Sequence, residues 1–334
     1  MTQVPRLPLL APWYRVVGDG ERLLLEYGQS LVVLEGAAVR ALLPALLPLL
    51  DGTRTVDGLV ERLGAPVRPA IEAALELLAG RGVVVEGPDA PAAGRASAHA
   101  VAAAYGLPPA VAAARLREAS VGIVGAGPLG FDLARLLHDA GVGRIRRVGW
   151  NGRESQTDAR AQPARPFNGA DERRLGVDLA VVVPAPDEHD RLPAWNLAAL
   201  RSGARWLLLR PYDGRFASVG PIVVPGQTCC YECLLLRRAA NSGYSAELAE
   251  VEAAPFAAPR DAGVDAFAAA LAAHLAVRYV AGSDTTLPGV LHTLETRPAL
   301  RLEEHAVLRV PRCGACSAAA RAAPPLPWHQ AVAA

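Results

Sequence analysis

Four cysteines fall in two pairs of identical spacing, Cys230-Tyr-Glu-Cys233 and Cys313-Gly-Ala-Cys316, far apart in the chain. Each pair can deliver two thiolates from one tight turn, and four thiolates in two such knuckles are the ligand set that a structural zinc prefers. If both pairs hold one ion, the chain near residue 230 must meet the chain near residue 313. The C-terminal segment is then pinned back onto the fold that precedes it. An all-thiolate set leaves no open position for water, so the expected metal is structural and not catalytic. The plainer alternative is two unrelated pairs of packed cysteines. Cys229 stands beside the first pair, as a packed thiol, an alternative ligand, or a nucleophile for thioester chemistry.

Cysteines arranged for a metal suit a reducing compartment. The opening stretch MTQVPRLPLLAPWY places prolines where the apolar core of a signal peptide would run. The longest apolar stretch, Ala262–Gly282, is interrupted by Asp265, His274 and Arg278, which disfavours a membrane span. A cytoplasmic protein without a membrane partner is therefore expected. At 334 residues, with 51% hydrophobic and 20% charged side chains, the chain has the length for two folded domains. A formal charge of +1, with no basic face or tail, gives no reason to expect nucleic acid. All 34 basic residues are arginine; the chain contains no lysine.

Residues 1–87 carry three short strand patterns, Trp13–Val17, Arg22–Tyr27 and Ser30–Leu34, with Gly18-Asp19-Gly20 and Gly28-Gln29 as turns. Helical patterns follow over Ala37–Leu50, broken by Pro44 and Pro48, from Thr55 to Gly64, and over Val67–Ala79, before a last strand at Val83–Glu86. Such an order predicts a small winged-helix-like module. Residues 88–118 read as a linker, rich in Pro and small residues over Gly87–Ala100, and a lead-in helix. From residue 119 to 334, strands at Ser120–Val124, Arg144–Val148, Asp178–Val183 and Arg205–Leu209 alternate with helices. That alternation predicts an α/β domain with a mainly parallel sheet. Asn151–Pro166 reads as a loop.

The first strand of this domain runs into Gly125-Ala-Gly127-Pro-Leu-Gly130, a G-x-G-x-x-G turn between strand and helix. Glycines there let a phosphate approach the free N–H groups of the helix start, but a tight strand–helix turn needs the same glycines for packing. A dinucleotide site also wants a carboxylate at the tip of the second strand. Here that strand ends Val148-Gly149-Trp150-Asn151, so NAD is not expected.

The stretch from Val121 to Gly149, with Ala140-Gly-Val-Gly143 before the second strand, resembles the ThiF and ubiquitin-activating-enzyme family, which adenylates peptide C-termini. The resemblance implies an Asp after the second strand, an Arg soon after it and a Lys on the ATP phosphates. Trp150 or Asn151 stands at the Asp position and no Lys exists, with Arg153 and Arg160 as partial substitutes. Adenylation and ATP binding are therefore not expected, and Gly125, Gly127 and Gly130 form a vestigial nucleotide turn.

Gly220-Pro-Ile-Val-Val-Pro-Gly226-Gln-Thr-Cys229-Cys230-Tyr-Glu-Cys233-Leu and His305-Ala-Val-Leu-Arg-Val-Pro-Arg-Cys313-Gly-Ala-Cys316 resemble the zinc knuckles of ocin-ThiF-like proteins. These are partners of the YcaO cyclodehydratases that make thiazole and oxazole peptides. The front module resembles the PqqD-like peptide clamp of the same family. The resemblance implies a ThiF-type Rossmann-like domain with a structural zinc on Cys230, Cys233, Cys313 and Cys316, and a clamp for a precursor's leader peptide. The clamp residues carried over are Ser30, Leu31, Val32, Val33 and Leu34 on the third strand and Arg68, Ile71, Ala74 and Leu75 on the third helix. For Ile71 and Leu75 individually, core packing is the better reading. The implied partners are the leader peptide and a YcaO cyclodehydratase, with the α/β domain as a docking and possible dimerisation scaffold. Two other classes compete: an adenylating enzyme for a peptide or carrier-protein C-terminus, and a DNA-binding winged-helix regulator. The third helix, decorated by Arg68, Glu72 and Glu76, is a poor face for phosphates.

Overall fold

The computed structural model describes residues 3–18, 22–125, 127–150, 165–166, 176–185, 188–245, 247–254 and 260–317, with backbone alone at 165, 166, 249 and 253. The chain divides into two compact units, Met1–Arg117 and Glu118–Ala334.

In the first unit, β1 (Pro8–Leu10) is followed by β2 (Arg15–Gly18), β3 (Arg22–Tyr27) and β4 (Ser30–Glu35). Strands β2, β3 and β4 form an antiparallel sheet in that order, with β4 at one edge. Helix α1 (Ala37–Leu46) runs through Pro44 and then tightens into a 3₁₀ turn at Leu47–Leu49, so the break comes at the second proline, Pro48. Helix α2 (Val56–Leu63) starts at Thr55, whose hydroxyl accepts the Gly58 N–H at 3.3 Å, an ordinary N-cap. Helix α3 (Arg68–Gly80) buries Ile71, Leu75 and Leu78, spaced at one helical face, against Leu25, Leu34, Leu43, Leu46 and Leu59.

Strand β5 (Val84–Glu86) pairs antiparallel with β1, and the Glu86 carboxylate accepts the N–H groups of Arg6 and Leu7 at 2.7 and 3.0 Å. The stretch read as linker is partly helical, because α4 (Arg95–Tyr105) begins within it; α5 (Pro109–Glu118) follows. Ala98, Val101 and Ala102 supply α4 with a buried face of small side chains, which a composition rich in Ala disguises as linker.

The second unit is built on an eight-stranded sheet. Its elements are β6 (Ser120–Val124), α6 (Pro128–Asp139), β7 (Arg144–Gly149), β8 (Arg165–Pro166), β9 (Leu179–Val182), α7 (Leu192–Ser202), β10 (Trp206–Arg210) and β11 (Phe216–Val223). Then come α8 (Tyr231–Ala240), α9 (Leu248–Ala253), α10 (Ala262–Gly282), β12 (Val290–Glu295) and β13 (Arg301–Ala306). The sheet order is β13-β12-β11-β10-β9-β6-β7-β8. It is parallel from β10 through β8 and antiparallel from β10 through β13.

Strands β6 and β9 are buried at every residue and β10 at all but Arg210, as central strands covered on both faces must be. Helix α10 packs on α6, β10 and β11 through Ala268, Ala269, Ala272, Ala273 and Ala276. Among the described residues it is the one helix long and apolar enough to cross a membrane by length and composition, yet its alanine face lies against the sheet. Asp261 caps it, accepting the Gly263 and Val264 N–H groups at 3.0 and 3.1 Å.

Candidate functional site

The four knuckle cysteines meet. Cys230 sits at the N-cap of α8 and Cys233 in its first turn, while Cys313 and Cys316 lie beyond β13. Their sulfurs lie within 4.8 Å of one another, with Cys230–Cys233 at 3.9 Å, Cys230–Cys313 at 3.7 Å and Cys233–Cys316 at 3.5 Å. Thiolates ~2.3 Å from a tetrahedral zinc would be separated by about 3.8 Å, whereas a disulfide would need about 2.05 Å. The spacing therefore fits a shared ion and excludes a bridge.

Second contacts aim the ligands. The Val310 N–H donates to the Cys233 sulfur at 3.3 Å, and Asn196 on α7 accepts the Tyr231 N–H at 3.0 Å, fixing the start of α8. Cys230, Cys233 and Cys313 are fully buried. Burial pushes the Cys230 thiol well above its ordinary value and Cys316 up to about 11. Buried thiols of this kind ionise together only around a cation, so the donor set fits a divalent, thiophilic metal such as zinc. Burial also lifts the Cys229 thiol to about 12, and it is 1% exposed within the same apolar cluster. A nucleophilic cysteine needs a reachable thiolate. Cys229 is a packed side chain.

At the glycine turn the two readings separate by residue. Gly125 has φ +126°, and a Cβ there would lie 2.0 Å from the carbonyl oxygen of Val183, just past the end of β9. That glycine is demanded by packing. Gly130 lets α6 approach β6, its Cβ position being 3.4 Å from the Ile123 side chain. Gly127, at the N-cap of α6, faces open space, and Pro128 after it brings no N–H to the helix start.

At the tip of β7, Trp150 is 6% exposed and stands edge-on to Trp195 at 6.0 Å, which stands edge-on to Trp206 at 6.3 Å. Trp150, one of the two positions at which the ThiF resemblance implies a ribose-binding Asp, is thus a core residue. On β7 the Arg147 guanidinium lies 3.5 Å from the centroid of the Phe131 ring, a buried cation–π contact. Asn151, Arg153 and Arg160 lie outside the described residues.

The residues assigned to the peptide clamp divide in the same way. Leu31 and Val33 are 55% and 41% exposed on β4, Ser30 is exposed, Val32 is half-buried and Leu34 is buried. On α3, Arg68 is held by Asp57 at 2.6 Å and Glu72 at 3.2 Å, and Ala74 is half-buried. Ile71 and Leu75 are 0% exposed in the unit's core cluster and cannot themselves touch a surface peptide.

One polar network in the second unit had no signal in the sequence. Glu252 on α9 is clamped between Arg210 on β10 at 3.2 Å and Arg238 on α8 at 2.5 Å. The two guanidiniums overcome the effect of burial and hold the carboxyl below its ordinary range. Beside them lies His189, 4% exposed, which burial holds down to about 4. Arg210, Arg238 and His189 border a cavity of about 900 Å³ over the antiparallel strands. Only spatial proximity unites these positions, which is why no motif announced them.

No family model and no curated protein matches the sequence. Solved structures do match. A heterocyclase in complex with substrate and cofactor aligns at 25% identity and TM-score 0.68, over 93% of this chain and 40% of that one. The heterocyclase TruD aligns at 23% identity and TM-score 0.68, over 94% and 43%. E. coli MccB with ATP aligns at 16% identity and TM-score 0.65, over 93% and 99%. The chain thus spans about two fifths of the heterocyclases and nearly all of MccB. Its fold is of the ThiF-like kind that these proteins share, combined in this chain with a four-cysteine cluster able to bind a metal.

Proposed function

We propose that this chain is a non-catalytic adaptor that binds the leader peptide of a ribosomally made precursor and presents it to a YcaO cyclodehydratase for thiazole or oxazole formation. The observation that carries the proposal is the free edge of β4, where apolar Leu31 and Val33 are more than two-fifths exposed on a strand with no further neighbour among the described residues. An open strand edge gives an extended peptide a row of backbone hydrogen bonds, and its side chains supply selectivity. Support comes from the kind of ligand held by the structural neighbours: a substrate in the heterocyclase, and MccA in MccB.

Trp150 in the core and the absence of lysine remove two of the side chains that adenylation would use. The YcaO partner would then carry the ATP chemistry, with the zinc-stapled α/β unit as its docking surface and a possible homodimer scaffold. The competing reading, an enzyme that adenylates a peptide or carrier-protein C-terminus, is favoured by the match to ATP-bound MccB over 99% of that chain.

Fluorescence polarisation of the full chain with a labelled leader peptide, taken from a precursor encoded beside its gene, tests the proposal. Saturable binding is expected, weakened about tenfold or more by Leu31→Asp, a loss of about 1.4 kcal/mol, at unchanged melting temperature. No binding by the wild-type chain would overturn it.

A further inference from the structure

Resting on the reading that β4 accepts a peptide strand, we infer that the peptide recognised carries the pattern basic–x–apolar–x–apolar, read from N to C. The pattern follows from register alone. Gly28 and Gln29 form a two-residue turn, with Gly28 at φ +62°, and Tyr27 opposite Ser30 closes it. The closing pair of such a hairpin exchanges hydrogen bonds, and pairs alternate along an antiparallel ladder. Leu25–Val32 and Leu23–Leu34 are therefore bonded pairs, while Glu26–Leu31, Leu24–Val33 and Arg22–Glu35 are not. The N–H and C=O groups of Leu31, Val33 and Glu35 consequently point away from β3, toward the open edge.

These three residues also share a face. Leu25 and Leu34 turn into the core, so the alternate positions Leu31, Val33 and Glu35 lie on the outer face with Glu26, Leu24 and Arg22. Across the sheet they make three rows: Arg15–Glu26–Leu31, Val17–Leu24–Val33 and Arg22–Glu35. The Arg15–Glu26 pair at 3.5 Å satisfies the charges of the first row and leaves Leu31 as its apolar end. The second row is apolar throughout, with Val17 48% and Val33 41% exposed. The third ends in an exposed carboxylate, Glu35.

An incoming strand lengthens each row by one residue, because its bonded pairs form with those β4 residues whose backbone faces the edge. Cross-strand matching then asks for an apolar side chain beside Leu31, another beside Val33, and a cation beside Glu35. The sheet is antiparallel throughout, so the added strand runs against β4 and meets Glu35 first. Gly36 at φ +112° ends the strand immediately after Glu35, and the Gly28 turn ends it before Ser30, which limits the recognised segment to about five residues.

Selection of an mRNA-displayed library of random 12-residue peptides on the immobilised full chain tests the inference. Enriched peptides should carry Lys or Arg, then an apolar residue two positions on, then another two positions further. A synthetic peptide with that pattern should bind roughly fivefold tighter than its Glu-for-basic counterpart. Selection on Glu35→Arg should reverse the charge preference while keeping both apolar positions, and Leu31→Asp should remove the last apolar preference. Enrichment of the reversed order, apolar–x–apolar–x–basic, would overturn the antiparallel register. Enrichment of peptides whose charge preference ignores Glu35→Arg would overturn the pattern but leave peptide binding standing. No enrichment at all would remove the peptide-binding reading itself.

Discussion

At the cysteine cluster every functional group is a side chain, and all four stand in place within 4.8 Å of one another. At the glycine turn, in the same unit, the functional groups of a nucleotide site would be partly backbone and partly side chain. The three glycines are present, while Trp150 or Asn151 stands where the carboxylate is expected and the chain has no lysine. The difference teaches what a motif can testify to. Gly125 is held in place by its neighbour Val183, whether or not a phosphate ever visits, so a glycine turn reports packing first. Four converging thiols, three of them fully buried, have no such excuse, since without an ion they bring only desolvation and crowding.

The largest effect is expected from removing any ion that the cluster holds. Chelation, or Cys313→Ser, is expected to cost several kcal/mol and to lower the melting temperature of the second unit by ten degrees or more, read by calorimetry. An unchanged melt would mean that the cluster holds no ion. Next comes Gly125→Ala, where a methyl would fall on the Val183 carbonyl at positive φ; a loss of about 3 kcal/mol or more is expected in urea titration.

A smaller effect separates acid sensitivity of the unit from acid release of metal. Burial holds His189 at about 4, below the ordinary 6.5, so between those values the unfolded chain takes up a proton that the folded chain refuses. Stability is therefore full above pH 6.5 and falls as pH drops toward 4, by about 2 kcal/mol between pH 7 and 5. His189→Gln should flatten that slope in denaturant titrations of metal-loaded protein. The smallest effect is expected at Gly127→Ser, within about 0.5 kcal/mol of wild type, because the position is open and serine is a good N-cap.

Much of this was legible beforehand because it is local. The strands Arg22–Tyr27 and Ser120–Val124 and the Thr55 cap follow from period and end signals within a few residues. The cysteine pairs announced themselves by spacing. What escaped depends on distant partners. Strand β1 is three residues long and exists through β5, and α4 hides in an alanine-rich stretch. The antiparallel half of the sheet and the Arg210–Glu252–Arg238 clamp join residues whose types carry no mutual signature.

The central claim, that the glycine turn survives as architecture while the chain acts by binding, is tested most directly by ATP–pyrophosphate exchange with the full metal-loaded chain and the precursor peptide. No exchange above background is expected, in wild type and in Gly127→Asp alike. Exchange in wild type that disappears in Gly127→Asp would contradict it and make the chain an adenylating enzyme.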